Sequence, residues 1–542
     1  MKSSTLSAFA LSVLAAGCSV LVDTESRMQC RADADCEANP NFHGRVCELG
    51  FCAIKKPDPG PGSTGGEGCV STALCTQANS GKASVCAKAG TPCVPWEDAE
   101  CPTITGQWDN PDAIMVGALL PLTFDSPLGS STPAYATRLQ RAIDLAAGEF
   151  DRKIPGLKVG SKTRPIALLH CNSRGIPNQA RNRFTHLTDV VGAQAVIVGW
   201  DDDLAAVAPL ATERKTAIVC SDCLAPLPAG LDARRIIPPI TLDAPLAAWR
   251  VKDLEAKIKQ VDPSPIRVAL LIEGLRVPKA FSDELLKTLE FNGTSAAGNG
   301  SNFLPVMTED PREHTIDHDG HAAAIAAFAP HVIVVGMASA FPTFFIPLIE
   351  KKWPADKPRP YYIVTQLNYE VASFEDALTS DELRRRVSGT YPRLDDSLRA
   401  NVESYETRYR QEFFSAADGN FSGYESFYAT AFAAAAAASA DPFAPIDGPR
   451  IAAGFERLSN GPSVDFHPGQ INAGISLLGA GSIDVRGLTS ELDWNPTTRE
   501  LETEMAMYCF GRDESGLVLK SDPGGVFYSP KTGLITGTYA CE

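Results

Sequence analysis

From residue 113 onward the chain alternates short apolar runs with amphipathic stretches. AIMVGALLPL (113–122), PIALLHC (165–171), AQAVIVGW (193–200), TAIVCSD (216–222), IRVALLIEG (266–274), HVIVVGM (331–337) and YYIVTQ (361–366) are nearly unbroken Val, Ile, Leu and Ala. Such runs predict parallel strands buried on both faces. Between them RLQRAIDLAAGEFD, NQARNRFTHLTDVV, DLAAVAPLATER and FSDELLKTLEFNG carry apolar residues at spacings of three and four, which predicts helices. This alternation predicts right-handed βαβ units and doubly wound α/β sheets. The alanine-rich FYATAFAAAAAASA (427–440) predicts a packed core helix, and beyond the N-terminus no segment approaches 18 uncharged apolar residues.

The first 111 residues follow a different grammar. Lys2 precedes an apolar run over 6–17 that is too short to span a bilayer as a mature helix, the pattern of an export signal. Ala16, Gly17 and Cys18 resemble the bacterial lipobox, with Ala15 where leucine is usual and Leu14 one place earlier. The resemblance implies a signal peptide over 1–17, lipidation at Cys18, and a body held at the cell envelope in an oxidising compartment, periplasmic or surface-exposed. Ser19 after the cysteine favours the outer membrane; an ordinary cleaved secretory signal is the alternative.

Fifteen cysteines, less Cys18, leave an even number, and nine lie between residues 30 and 101. An exported chain with this distribution reads as disulfide-stapled. Residues 18–54 form one Cys-rich module, 55–68 (KKPDPGPGSTGGEG) a Pro/Gly linker, and 69–111 a second Cys-rich segment whose odd count requires one bond outside it or a free thiol. In the body, a bridge from Cys171 to Cys220 or Cys223 is expected, with the remaining one receiving the odd N-terminal cysteine, and Cys509 to Cys541 would tie down the tail.

VGALLPLTFDSPLG with RAIDLAAGEFD, then QARNRFTHLTDVVGAQAVIVGWDDDLAAVAPLATERKTAIVCSDC, then YETRYRQEFF, GYESFYATAFAAAAAA and RGLTSELDWNPTTRELE, resemble in order the segments of the type I periplasmic binding protein fold. The leucine-binding, branched-chain amino acid ABC transporter receptors are the family most alike. The resemblance spans about residues 112–510. It implies two doubly wound three-layer lobes, lobe 1 from 112–248 and 395–485, lobe 2 from 249–394 and 486–542 with a C-terminal tail. Ligand would lie in the cleft between them.

In such a fold the ligand loops follow the carboxyl ends of strands. The candidate ligand residues are therefore Thr123, Phe124, Asp125, Trp200, Asp201, Asp202, Ser221, Asp222, Arg276 and Gln366. The loop GWDDD is the informative one, because amino-acid receptors of this family present Ser or Thr there to hold a carboxylate. Three aspartates at a helix N-terminus already occupy its positive end and would repel a second anion. Either Asp202 or Asp203 is the N-cap of DLAAVAPLA, or the cluster selects a cationic or hydroxyl-rich ligand.

A net charge of −16 without a Lys/Arg cluster argues against a nucleic-acid partner. HTIDHDGH places His314, His318 and His321 at helical spacing with aspartates, a pattern that suits zinc, but Gly320 and the surrounding charge read as a solvated loop. G-x-S-x-G, H-E-x-x-H and G-x-x-x-x-G-K are all absent. The sequence reads as a non-enzymatic, lipid-anchored solute-binding protein that implies no cofactor and no metal. Its partners would be a small polar molecule and an ABC permease or sensor. The competing reading is an envelope protein-interaction scaffold, a regulator of peptidoglycan synthesis with the same fold.

Overall fold

The computed structural model describes residues 34, 45–48, 51–54, 69, 72–79, 82–86, 92–110, 112–123, 131–338, 340–369, 373–378, 380–393, 396–417, 419, 421–488, 490–512, 518–521, 525–539 and 541. The chain forms two compact units, Met1–Glu67 and Gly68–Glu542. In the first, Arg45–Glu48 pairs antiparallel with Phe51–Ile54, setting Cys47 opposite Cys52. Cys18 and its flanking signal lie outside the described residues. No described helix is long and apolar enough to cross a membrane.

Among the described residues the second unit holds two large sheets, of six and nine strands, besides several two-stranded pairs. The first contains β1 (Thr103–Gly106), β2 (Ile114–Leu120), β3 (Ile166–Asn172), β4 (Ala195–Val198), β5 (Ala217–Cys220) and β6 (Ala233–Arg235), in the order β6-β5-β4-β2-β3-β1. All pairs are parallel except β1 with β3. Helices α1 (Ser131–Lys153), α2 (Pro177–Thr185) and α3 (Asp201–Arg214) connect the early strands.

The second sheet starts beyond α4 (Asp243–Lys259). It contains β7 (Val268–Ile272), β8 (Phe303–Met307), β9 (Val332–Gly336), β10 (Tyr361–Val364) and β11 (Val387–Pro392), with α5 (Arg276–Thr288) and α6 (His318–Phe328) between strands. The chain then returns to the first lobe with α7 (Arg399–Phe413), α8 (Ser422–Ala440) and α9 (Ile471–Ala480). It ends in the second sheet as β12 (Met505–Arg512), β13 (Val518–Ser521), β14 (Phe527–Ser529) and β15 (Leu534–Thr536). The order is β8-β7-β9-β10-β11-β12-β14-β15, with β13 also on β12; pairing is parallel through β11 and antiparallel from β12. The seven apolar runs of the sequence are β2, β3, β4, β5, β7, β9 and β10.

Residues of α8 from Ser422 to Ala438 are buried, because alanines let α1 and the sheet approach closely while Phe427, Tyr428 and Phe432 fill the gaps around Phe150. Between residues 236 and 243 the chain crosses to the second lobe. That is earlier than the expected break after 248, since Ala244, Ala247, Ala248 and Val251 pack α4 onto β7 and β9. The segment 487–503, expected in the second lobe, instead sets Leu488, Leu492, Trp494 and Leu501 into the core of the first.

The disulfide expectations fare unevenly. Cys69–Cys86 and Cys75–Cys93 close the N-terminal segment, and Cys509–Cys541 ties down the tail. The expected bridge from Cys171 to the fourth loop does not form: Cys171 bonds Cys101, the odd cysteine, and Cys220 bonds Cys223. The reason is β1, an unforeseen antiparallel edge strand that sets Thr103 opposite His170 and so delivers Cys101 to the end of β3.

Candidate functional site

The segments after β4 and β5 meet those after β8 and β7 across the lobes, through Asp202 with Arg312 and Pro226 with Arg276, and α3 begins at this edge. Asp201, Asp202 and Asp203 form its first turn, while Trp200, half-buried and extended, is the N-cap with no side-chain cap bond. The expectation that Asp202 or Asp203 caps the helix is thereby corrected: the cap is Trp200, two residues before the one and three before the other.

The three aspartates have separate tasks. Asp201 accepts the backbone N–H groups of Leu224 and Ala225, both at 2.9 Å, which fixes the loop after β5. Burial pushes its carboxyl up to about 6, against those bonds and the nearby Arg235 guanidinium. Asp203 is fully buried and accepts the Ser173 hydroxyl at 2.5 Å; its Oδ1 has no partner among the described residues, and burial pushes the group up to about 7. Asp202 points outward to Arg312 of the opposite lobe.

The loop after β5 is pinned from several sides. Arg235, completely buried, donates to the carbonyls of Cys223 and Ala225 and pairs with Glu500, whose carboxylate also accepts the Leu227 N–H at 3.0 Å. Ser221 is buried with its hydroxyl donating to the Val198 carbonyl at 3.3 Å, so it faces the sheet rather than the cleft. Asp222 keeps some exposure, is held by the Tyr135 hydroxyl, and is pushed up to about 6 by its surroundings. Thr123 sits at the first loop, its hydroxyl accepting Asn172 Nδ2 at 2.7 Å. Phe124 and Asp125 lie outside the described residues.

On the second lobe Arg276 opens α5 and donates to the Pro226 carbonyl of the first lobe at 3.3 Å. Glu273, buried, accepts the Ala338 N–H and is pushed up to about 6 by burial, with Asp310 adding and Arg312 opposing. Arg312 is clamped bidentately by Asp310, with contacts of 2.7 to 3.2 Å. Gly274 permits this: a Cβ there would lie 2.7 Å from the Thr308 carbonyl and 2.8 Å from the Asp310 nitrogen. Gln366 presents its backbone N–H to Asp243 at 3.3 Å.

Asp243 is the centre that pattern reading missed. It begins α4 and is fully buried beside the Thr390 hydroxyl of β11; burial pushes its carboxyl up to about 7. Around it, Asp243 Oδ1, Thr365 Oγ1, Gln366 Nε2, Asn368 Oδ1 and Tyr508 Oη are buried without a hydrogen-bond partner among the described residues. Asp243, Thr365, Asn368 and Tyr508 are each at most 1% exposed. Tyr508 lies over Gly389, where a Cβ would meet its ring at 2.4 Å, and its hydroxyl is pushed far up by burial and by the charge of Asp243. In the sequence the only signal was an aspartate interrupting the apolar ITLDAPLAAW.

The histidines of HTIDHDGH are occupied elsewhere. His318 opens α6 behind the Asp317 cap and stacks on Phe344 at 4.4 Å, and His321 Nε2 meets Glu309 at 3.0 Å.

No family model and no curated protein matches the sequence. Solved structures do match. A leucine-binding protein from Thermotoga maritima is 13% identical with a TM-score of 0.52, covering 78% of this chain and 100% of its own. A Rhodopseudomonas palustris ABC transporter solute-binding protein, in complex with 3,4-dihydroxybenzoic acid, is 13% identical with a TM-score of 0.53, covering 78% and 99%. A branched-chain amino acid substrate-binding protein from Streptococcus pneumoniae, in complex with isoleucine, is 13% identical with a TM-score of 0.51, covering 76% and 100%. The second unit of this chain has the type I periplasmic binding protein fold.

Proposed function

We propose that the protein is a lipid-anchored extracytoplasmic solute-binding protein that captures a small polar ligand between its lobes and presents it to an ABC permease or a sensor. The observation that carries this reading is the cluster of buried polar atoms around Asp243, unpartnered among the described residues, at the carboxyl edge of the second sheet. Buried polar groups are ordinarily paired, so a cluster of unspent ones marks a place where something polar is meant to sit. Asn368 Oδ1 only accepts, Asp243 Oδ1 accepts when the carboxyl is ionised, the two hydroxyls do either, and Gln366 Nε2 only donates. The complement is a donor-rich group, a cation or a polyol.

The neighbours named for leucine, isoleucine and dihydroxybenzoic acid take acids. Here the first turn of α3 carries three carboxylates of its own, which disfavours an acid at that end. Thermal unfolding against amino acids, polyamines, sugars and nucleosides tests the reading. A ligand at a hundredfold excess over its Kd adds about 2.7 kcal/mol to the folded state. A cation or polyol should raise the midpoint in the native chain and not in Asp243→Asn. Stabilisation by leucine-like acids alone would overturn the ligand class, and no stabilisation by any compound would overturn the receptor.

A second reading, the protein-interaction scaffold, is favoured by one specific observation. Asp201 and Ser221 are spent on contacts within their own lobe, and the rim is bridged by protein side chains.

A further inference from the structure

Two arginines of the second lobe reach across the cleft. Arg312 pairs with Asp202 on the first turn of α3, and Arg276 donates to the Pro226 carbonyl in the loop after β5. The receiving edge of the first lobe offers carboxylates and carbonyls; the reaching edge of the second offers guanidinium groups. Arg312 does not arrive as a loose side chain. Asp310 grips its Nε and Nη2, leaving Nη1 for Asp202, and Gly274 brings the 308–310 backbone against the 273–275 turn so that the pair stands at the rim. Asp202 and Arg312 side chains are 26% and 33% exposed, so the contact lies at the mouth and not in the floor. Farther along the crossing, Lys531 of the β14–β15 turn meets Asp493 of the first lobe at 2.6 Å.

We propose that the Asp202–Arg312 pair is a built-in latch that holds the two lobes closed in the absence of any solute. A helix N-terminus is a ready anion site, and the anion here is a side chain of the same helix, already matched to a cation on the other lobe. Closure is therefore favoured by the protein's own charges, by the modest amount that a partly exposed ion pair supplies. The latch needs only the two lobes and no ligand, so it stands or falls separately from the solute-binding reading.

Small-angle scattering and hydrogen exchange on the full-length protein, compared with Asp202→Asn, Arg312→Gln and the double variant, test this. Asp202→Asn leaves the Arg312–Asp310 clamp intact, so a local loop defect in Arg312→Gln is separable from loss of the latch. In wild type without ligand the scattering should fit closed lobes. Each single variant should raise exchange over both 199–206 and 306–314 by about two- to fivefold, the range an exposed ion pair supports. The double variant should add nothing further, because the two residues act as one contact. High salt should open the wild type to the same extent and leave the variants unchanged. Open-lobe scattering from the wild type, additive single effects, or wild-type exchange indifferent to salt would each overturn the latch.

Discussion

Glu149 in the core of the first lobe and Asp243 at the cleft are equally hidden, at 2% and 0% exposure, yet the protein treats them differently. Glu149 receives the hydroxyls of Tyr424 and Tyr428, both at 2.6 Å, and the Arg408 guanidinium at 2.7 Å. Three helices, α1, α7 and α8, are tied together at that carboxylate. Asp243 accepts one long backbone bond on Oδ2 beside the Thr390 hydroxyl and the Gln366 amide, and among the described residues its Oδ1 has no partner within hydrogen-bond geometry. A charge buried for architecture is surrounded by donors, whereas a charge buried at a site keeps a deficit that packing does not fill. The same contrast holds in the second lobe, where Glu350 is met by Arg386, Arg359 and Tyr362. The deficit separates Asp243 and Asp203 from Glu149 and Glu350 more sharply than burial does.

The largest effect expected from this contrast is at Glu149. Glu149→Ala strips the partner from Arg408 and from two buried hydroxyls, and breaking a buried charged network of this kind costs about 3–5 kcal/mol. Denaturant unfolding should register it as a lower midpoint with an unchanged m-value. Next comes Glu350→Gln. Burial raises the Glu350 carboxyl, but Arg386 and Tyr362 outweigh it and hold the group below the ordinary glutamate range. The stability it supplies is present above the unfolded pKa and is lost as pH falls through the folded one. The gap between Glu350→Gln and wild type, about 1–3 kcal/mol at pH 7, should close on acidification. The smallest effect belongs to Lys162→Met. Its exposed pair with Asp112 should be worth less than about 1 kcal/mol and vanish in salt.

Much of the fold could be read from the chain because the buried parallel strands are nearly pure apolar runs with no competing pattern. TITG of β1 lies at a sheet edge with intermediate exposure, so it has no apolar signature, and the Cys101–Cys171 bond hidden behind it was equally invisible. YPRLDD and SGTYP at the second crossing were also silent, because β11 mixes small and polar residues under β12. At the site, GWDDD announced itself by composition, but what each aspartate does depends on partners 23 to 110 residues away. Arg312 sits in EDPRE, which reads as a solvated turn. Only the fold places it opposite α3.

Asp243 and Asp203 give the most direct test of the account, because their sign is opposite to that of Glu350. Both are raised by burial to about 7 from an ordinary aspartate value of 3.8. Folded and unfolded states then differ in protonation between about pH 4 and 7, and each group lowers stability as pH rises through that window. The measurement is the unfolding free energy of wild type and of Asp203→Asn/Asp243→Asn from pH 5 to 8, without ligand. The account predicts that the variant gains on wild type as pH rises, by about 1.4 kcal/mol per pH unit per group within the window, and is the more stable protein at pH 8. A wild type that stays ahead at pH 8, with a gap independent of pH, would mean that these carboxylates are satisfied like Glu149 and that the cleft holds no unspent polarity.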